Sequence, residues 1–359
     1  MTDSAQKNRV IFLDILRAFA VFMMVQGHTI DSTLGEEFRT SASVFHTIWL
    51  YMRGLTAPIF LFTSGTVFMY LLKRSNKPFM DNKRVIKGIR RAGLLFLIGY
   101  LLRFPNYNIF HLQFATDAQW EIFFASDVLH LIAFGLLFTI LFAYISYKFK
   151  FNDYYIFAFG TLAFIFLNIP FSNIDWNSFL PKIIGNYFYS GGGSQFPLFP
   201  WLAYFFMGAI LGSFMAKNPK SFSDKSFGIK LAVLGGILFF ATYGVEFVEN
   251  ALKLQVAYQK PSIVFHRIAA VLLFNAVFIH ISLYIKSIPS LIILLGRNTL
   301  LIYAVHVFLI YNGPIRGYFN RTYTLDETLI MAFGMLSLMI LLVKGVALFN
   351  VRNKTMVAN

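Results

Sequence analysis

Three ionisable side chains lie inside the first apolar stretch of the chain, and their spacing is the first indication of chemistry. The segment RVIFLDILRAFAVFMMVQGH, residues 9–28, carries Asp14, Arg17 and His28. In an α-helix all three project from one face, with Arg17 and His28 roughly 16 Å apart along the axis. An ionisable group in a bilayer costs roughly 2.5–3.5 kcal/mol, so such residues usually mark function. We therefore expect a cation and a base to face a common protein interior.

Other side chains suited to proton transfer are Asp127 and His130, one helical turn apart, and His306 in LGRNTLLIYAVHVF. An imidazole with an unperturbed pKa near 6.5 is a free base at neutral pH and can accept a proton. The topology given below places all of them near the depth of His28. We predict that His28, Asp127, His130 and His306 are catalytic. The structural alternative is that each histidine only hydrogen bonds between helices.

A metal site built from the same four side chains is a further alternative. No H-x-x-x-H or comparable local pair of ligands supports it. The chain has no cysteine, so thiolate metal ligands, disulfides and a cysteine nucleophile are excluded. We expect no metal.

The composition defines the class of protein. The chain of 359 residues is 57% hydrophobic, 18% aromatic and only 13% charged, which is typical of an all-α polytopic membrane protein. Its net charge of +15 resides largely in short loops between apolar stretches, as the positive-inside rule predicts, and not in a polar domain that could bind nucleic acid.

About ten membrane spans are long enough to cross the hydrocarbon core. We expect the first to be retained, because Asp14 and Arg17 interrupt it and no cleavage site follows. The densest basic run, residues 73–91, should be cytoplasmic, which places both termini inside and makes residues 1–359 a single membrane domain. The predicted spans are 10–30, 45–72, 88–104, 121–147, 154–170, 197–216, 228–248, 263–285, 290–311 and 326–348.

Five segments resemble the integral-membrane acyltransferase superfamily, in particular its heparan-α-glucosaminide N-acetyltransferase-like branch. Residues 9–28 match its first helix, including an Arg and a His separated by ten residues, here Arg17 and His28. The stretch APIFLFTSGTVF resembles its Pro-Phe-Phe-x-x-Ser-Gly segment. Two departures are Arg17-Ala18 in place of Arg-Gly and the spacing Lys87-x-x-Arg90 in place of a paired-arginine motif. The five similar segments are 9–28, 57–68, 126–138, 196–212 and 295–311.

The resemblance implies transfer of an acyl group, usually acetyl, from cytoplasmic acyl-CoA to a hydroxyl or amine of a carbohydrate or glycolipid acceptor at the outer face. The face of the first helix that carries Asp14, Arg17, Met24 and His28 is called the stripe below. The pantetheine arm would then follow this stripe from Arg17 past Met24 to His28. A bacterial inner membrane is the expected location, and a homodimer is compatible with the sequence. The residues expected to bind the donor are Asp14, Arg17, Lys87, Arg90, Arg91, Arg297 and Asn298.

The alternative function is a proton-coupled transporter or flippase that uses the intramembrane His, Asp and Arg residues as a relay. The absence of an internal repeat and of a midplane pair of Gly/Pro-broken helices counts against a carrier. For Ser64 and Gly65, substrate binding and helix packing are both open, and packing is the usual role of such a small pair in a membrane.

Overall fold

The computed structural model describes residues 10–39, 44–75, 77–105, 107, 109–219, 221–285 and 289–358. These ranges contain helices and no β-strand beyond one isolated bridge, Leu34 to Tyr323, which confirms the all-α polytopic class. The α-helices are α1 (Ile11–Thr33), α2 (Val44–Lys73), α3 (Lys83–Leu102), α4 (Asp117–Phe124), α5 (Val128–Phe149), α6 (Asp153–Phe166), α7 (Asn168–Phe171), α8 (Lys182–Gly185), α9 (Leu198–Lys217), α10 (Lys225–Ala251), α11 (Pro261–Tyr284), α12 (Ser290–Arg297), α13 (Thr299–Tyr311) and α14 (Leu325–Ala358).

Most predicted spans coincide with a helix that is long and apolar enough to cross a bilayer. Among the described residues eight stretches meet that standard, and a ninth is added if the bent pair α12 and α13 is one span. The predicted span 88–104 is helical in α3 but does not meet it. This helix begins at Lys83, five residues before the predicted start at 88, and it has five cations among its first nine residues.

The predicted ninth span, 290–311, is not one continuous helix. Helices α12 and α13 are bent by 70° at Asn298, the residue between them. The Asn298 side chain donates a hydrogen bond from Nδ2 to the Leu294 carbonyl at 2.8 Å and so satisfies one of the last carbonyls of α12. Gly296 lies two residues before the break, but the sequence has no matching pair of Gly/Pro-broken helices that would have revealed it.

The chain forms two compact units. The first comprises residues up to Ala57 together with Ile281 onward, and the second comprises Pro58–His280. In the first unit α1 packs against α12, α13 and α14. Its core joins Val21 and Val25 of α1 to Ile302 and Ile310 of α13 and to three residues of α14, which are Met335, Met339 and Val343.

In the second unit α9 packs against α5 and α6, while α3 packs against α5. Glycines allow the second half of α2 to approach α9 at backbone distance. A Cβ on Gly65 would overlap the Phe205 carbonyl, and a Cβ on Gly208 would overlap the Phe62 carbonyl. Gly65 therefore has the packing role that small residues usually have between membrane helices.

Candidate active site

His28 lies on the last turns of α1 and is half-buried. Its Nδ1 lies 3.1 Å from the Tyr311 hydroxyl at the end of α13. Ser32, one turn later on α1, donates its hydroxyl to the His28 carbonyl at 2.7 Å. The imidazole is thus held at one ring nitrogen, while part of the ring remains exposed.

His306 lies against His28 and is fully buried. The two ring centroids are 5.3 Å apart in an edge-to-face arrangement. His306 Nδ1 lies 2.6 Å from the Ile302 carbonyl one turn earlier on α13. A carbonyl can only accept, so the Nδ1 of His306 carries a proton and donates it to this carbonyl. The structure therefore brings together two of the predicted catalytic histidines, from α1 and α13.

Tyr311 completes this cluster, and the sequence did not single it out. It ends the helix that carries His306, five residues further along, and 41% of its surface is exposed. The spacing of His306 and Tyr311 gives no signal in the sequence, because residues five apart lie roughly 140° apart around a helix. The tyrosine was one of 18 and had no motif to distinguish it.

Arginines surround the last turn of α1 beside this cluster. Asp31 forms ion pairs with Arg53 Nη2 at 2.7 Å and with Arg39 Nη1 at 3.3 Å. Arg321 donates from Nε to the Asp31 carbonyl at 3.1 Å and pairs with Glu36 at 3.2 Å. Arg321 adopts a left-handed backbone conformation with φ of 60°, which three contacts from its backbone and side chain hold in place.

The predicted inner end of the stripe on α1 is also half-buried, at both Asp14 and Arg17. Gly296 of α12 packs against this end, since a Cβ on it would lie 3.3 Å from the Asp14 carbonyl. Between the two ends of the stripe, however, Val21 and Met24 are only 2% and 9% exposed. A pantetheine arm cannot lie over Met24 without displacing these side chains, because Val21 belongs to the core of the first unit.

Arg297 and Asn298 lie where α12 meets α13. The Arg297 side chain is exposed and Asn298 is half-buried. The hydrogen bond from Asn298 to Leu294 gives this residue a structural task at the break. Its predicted role in binding the donor stays a prediction.

Asp127 and His130 lie in the second unit, where they cap α5. The Asp127 backbone N–H donates to His130 Nδ1 at 3.2 Å, and Asp127 Oδ1 accepts the Val128 N–H at 2.6 Å. Arg103 approaches the other carboxylate oxygen at 3.5 Å. His130 is fully buried, and the Tyr100 ring lies against it at 4.3 Å. Both predicted residues therefore take part in a closed capping arrangement.

The remaining predicted phosphate-binding residues, Lys87, Arg90 and Arg91, are exposed on the first turns of α3. On the adjoining face of this helix Gly88, Ala92 and Leu95 are buried. Cations at positions i, i+3 and i+4 lie on neighbouring parts of one helix surface. These three therefore form a basic surface available to an anion.

In the ranges that the structure describes, no three His, Asp or Glu side chains are grouped in a way that could hold a metal ion. The site is instead made of imidazole, phenol and guanidinium groups within a helical membrane protein. The chain that carries these groups is an all-α polytopic membrane protein.

Comparison with known families identifies the branch. The family model described as heparan-alpha-glucosaminide N-acetyltransferase, catalytic, matches residues 9–244, about two thirds of the chain. A second model, described as OpgC protein, matches residues 177–351. Among curated protein sequences none matches this chain. The chain belongs to the heparan-alpha-glucosaminide N-acetyltransferase-like family of membrane acyltransferases, which confirms the resemblance seen in its five segments.

Proposed function

We propose that this protein transfers an acyl group, most simply acetyl, from acyl-CoA to a hydroxyl or amine of a sugar-containing acceptor. The observation that carries the proposal is the half-buried His28 imidazole, held at Nδ1 by Tyr311 and packed against the buried His306. The family matches support an acyltransferase that acts on carbohydrate.

His28 acts as the general base in this proposal. For Nε2 to take a proton, Nδ1 must carry one and donate it to the Tyr311 oxygen. The acceptor O–H or N–H gives its proton to Nε2 while its oxygen or nitrogen attacks the thioester carbonyl. The C–S bond then breaks and the CoA sulfur leaves with the proton that His28 holds. Tyr311 and His306 position the ring.

A transient acyl-imidazole is the second route through the same residue. Here Nε2 attacks the thioester carbonyl, the C–S bond breaks and CoA leaves as the thiolate. The acceptor oxygen or nitrogen then attacks the acyl carbon, the bond from this carbon to Nε2 breaks, and the acceptor's proton passes through Nε2 to the CoA sulfur. The partial exposure of His28 supports either route. Incubation with radioactive acetyl-CoA and no acceptor separates them, because only the acyl-imidazole route leaves label on the protein.

Arg17 on α1 holds the donor in this proposal, since its guanidinium offers a bidentate fork for a phosphate oxygen pair. Lys87, Arg90 and Arg91 on α3 are exposed cations of the second unit, and phosphate binding by these three is a separate proposal within that unit. Asp14, Arg297 and Asn298 complete the donor residues that we propose. Because Val21 and Met24 close the middle of the stripe, the acyl arm would pass beside them and not over Met24.

Asp127 and His130 cap α5 within the second unit, and their predicted catalytic role stays a prediction. The acceptor would approach the exposed side of the His28 ring, near Arg53 and Arg321. We propose further that the chain is a single transmembrane acyltransferase domain with both termini cytoplasmic, that acyl-CoA comes from the cytoplasmic side of a bacterial inner membrane, and that the acceptor lies at the outer face.

The test is consumption of acetyl-CoA by the purified protein in detergent with a panel of glucosamine-containing and neutral sugar acceptors. Detergent solution has no two compartments, so acceptor-dependent release of CoA excludes pure transport. The His28→Ala variant serves as the blank. If no acceptor stimulates CoA release above that blank, and if proteoliposomes instead show proton-coupled solute uptake, the transporter alternative is correct.

A further inference from the structure

Arg267 is a cation inside an apolar helix of the second unit. It is the seventh residue of α11, roughly 9 Å from the start of this span, and it is half-buried. A charge at such a position is costly unless another group compensates it. The groups that surround the Arg267 guanidinium therefore indicate the role of this side chain.

The groups around Arg267 are neutral. Its Nη1 donates to Gln259 Oε1 at 2.9 Å, and its guanidinium carbon lies 6.0 Å from the centre of the Trp201 ring. Tyr204 is fully buried and its hydroxyl lies next to the Arg267 guanidinium. This hydroxyl has no hydrogen-bond partner at ordinary distance and angle. Within the described ranges no carboxylate lies within ion-pair distance of Arg267.

The carboxylate at this end of α11 is engaged elsewhere. Glu249 is buried and accepts the Ser262 backbone N–H at 2.7 Å and the Ser262 hydroxyl at 2.6 Å. Its charge thus caps the helix start. The helix dipole gives Arg267 no help, since a cation near a helix N-terminus is not stabilised by it. Neither Glu249 nor the helix dipole therefore balances the positive charge of Arg267.

The loop that faces Arg267 is held in a fixed conformation. Gln259 has φ of 49°, a left-handed conformation that is unusual for glutamine. Asn168, which is 1% exposed, fixes it by donating Nδ2 to the carbonyls of Tyr258 at 2.6 Å and of Gln259 at 2.9 Å. Tyr258 is fixed in turn, because its hydroxyl accepts from Trp201 Nε1 at 3.0 Å and donates to the Gln195 carbonyl at 2.9 Å.

We propose that Arg267, with the Gln259 amide and the Tyr204 hydroxyl, forms a second binding site that takes an oxyanion, a carboxylate or a phosphate. The oxyanion supplies the negative charge that the neighbouring side chains lack, and the guanidinium can bind it through two parallel N–H donors. The Tyr204 hydroxyl, buried and lacking a partner of ordinary geometry, gains one. This site does not depend on the function proposed for His28, which lies in the other unit.

The oxyanion could belong to a soluble sugar acid or to a lipid headgroup, and two arms of one experiment separate these sources. In the first, the full chain in phosphatidylcholine nanodiscs is titrated calorimetrically with glucuronate, inorganic phosphate and neutral methyl glucoside. In the second, mass spectrometry measures phosphatidylglycerol retained by the purified protein. Both arms use the wild type, Arg267→Gln, Arg267→Lys and the control Lys253→Gln, which removes an exposed charge from the same loop.

We expect glucuronate or phosphate to bind the wild type, methyl glucoside not to bind, and both Arg267 variants to bind at least tenfold more weakly, with Lys253→Gln unchanged. Retention of phosphatidylglycerol that falls in the Arg267 variants alone would support the site and identify a lipid as its source. Arg267→Lys keeps the charge, so it decides the matter if Arg267→Gln does not fold. If no probe or lipid binds in a manner that depends on Arg267, the site does not exist and the side chain is a packing residue.

Discussion

The imidazole of His28 and the hydroxyl of Tyr311 lie 3.1 Å apart although 283 residues separate them in the chain. The bond joins the end of α1 to the end of α13 within one unit. It engages Nδ1 of His28 and so restrains the orientation of the ring.

The first prediction concerns this bond. Tyr311→Phe keeps the ring and removes only the hydroxyl, so His28 loses its positioning partner. Loss of one neutral hydrogen bond is worth roughly 0.5–1.5 kcal/mol, and we expect transfer to fall about two- to tenfold with acetyl-CoA binding unchanged. The measurement is kcat for CoA release beside the dissociation constant. Tyr318→Phe, at an exposed tyrosine of the same unit, is the control. Equal rates in the two variants would contradict the positioning role.

The second prediction concerns His28 itself. His28→Ala and His28→Gln should both cut transfer by about 10²–10⁴-fold, because neither side chain can take a proton at neutral pH. Binding of acetyl-CoA should stay nearly intact. His280→Gln is a matched control, since His280 bonds only to its own helix through the Ala276 carbonyl at 2.8 Å. Near-normal turnover in His28→Gln would remove His28 from the mechanism and direct attention to His306 or His130.

The third prediction concerns the donor. Arg17→Lys keeps the charge but loses the bidentate fork, so acetyl-CoA should bind about ten- to a hundredfold more weakly, corresponding to roughly 1.5–3 kcal/mol. Equilibrium dialysis with labelled acetyl-CoA measures the change, and Arg316→Lys at an exposed position is the control. Unchanged affinity in a folded Arg17→Lys protein would mean that Arg17 serves Asp14 and not the donor.

The fourth prediction concerns topology. Met80→Cys, in the basic loop between α2 and α3, should react with an impermeant maleimide only from the cytoplasmic side, and Lys182→Cys only from the outside. Both positions are exposed, and the chain has no cysteine of its own. A cysteine at Gly192 is unsuitable, because its Cβ would overlap the Asn186 side chain. If each cysteine were labelled from the opposite side, the predicted membrane topology would be reversed and His28 would lie near the cytoplasmic face.

The fifth prediction concerns pH and the loop that precedes α9. Hydrogen bonds from Tyr189 and then from Ser178 hold the pKa of Asp175 below its usual range, while burial and the Asp175 contact raise the pKa of Tyr189 to about 12. A lowered carboxyl pKa stabilises the fold above the unfolded value of about 3.9 and ceases to do so as pH falls through the folded value. Hydrogen exchange in residues 171–190, corrected for intrinsic rates, should be constant from pH 5 to 9 and rise below about pH 4. Asp175→Asn should remove this pH dependence, and a wild-type profile in that variant would assign it to another group.

The sequence by itself determined the membrane class, the positions of most spans and the ionisable stripe on α1. Apolar runs of about 20 residues can satisfy their backbone groups in a bilayer only as helices, so hydropathy fixes them locally. Periodicity likewise placed Asp14, Arg17 and His28 on one face. The five similar segments gave the family for the same local reason, because each is a continuous run of residues.

Only the tertiary structure decided which of these side chains meet. The contact between His28 and Tyr311 depends on how α1 and α13 pack, and hydropathy alone did not reveal the 70° bend at Asn298 inside a predicted span. Packing of Val21 into the core closes the stripe between Arg17 and His28, and the close approach at Gly99 buries His130. Such outcomes arise from contacts between residues far apart in the chain, and local propensity carries no information about them.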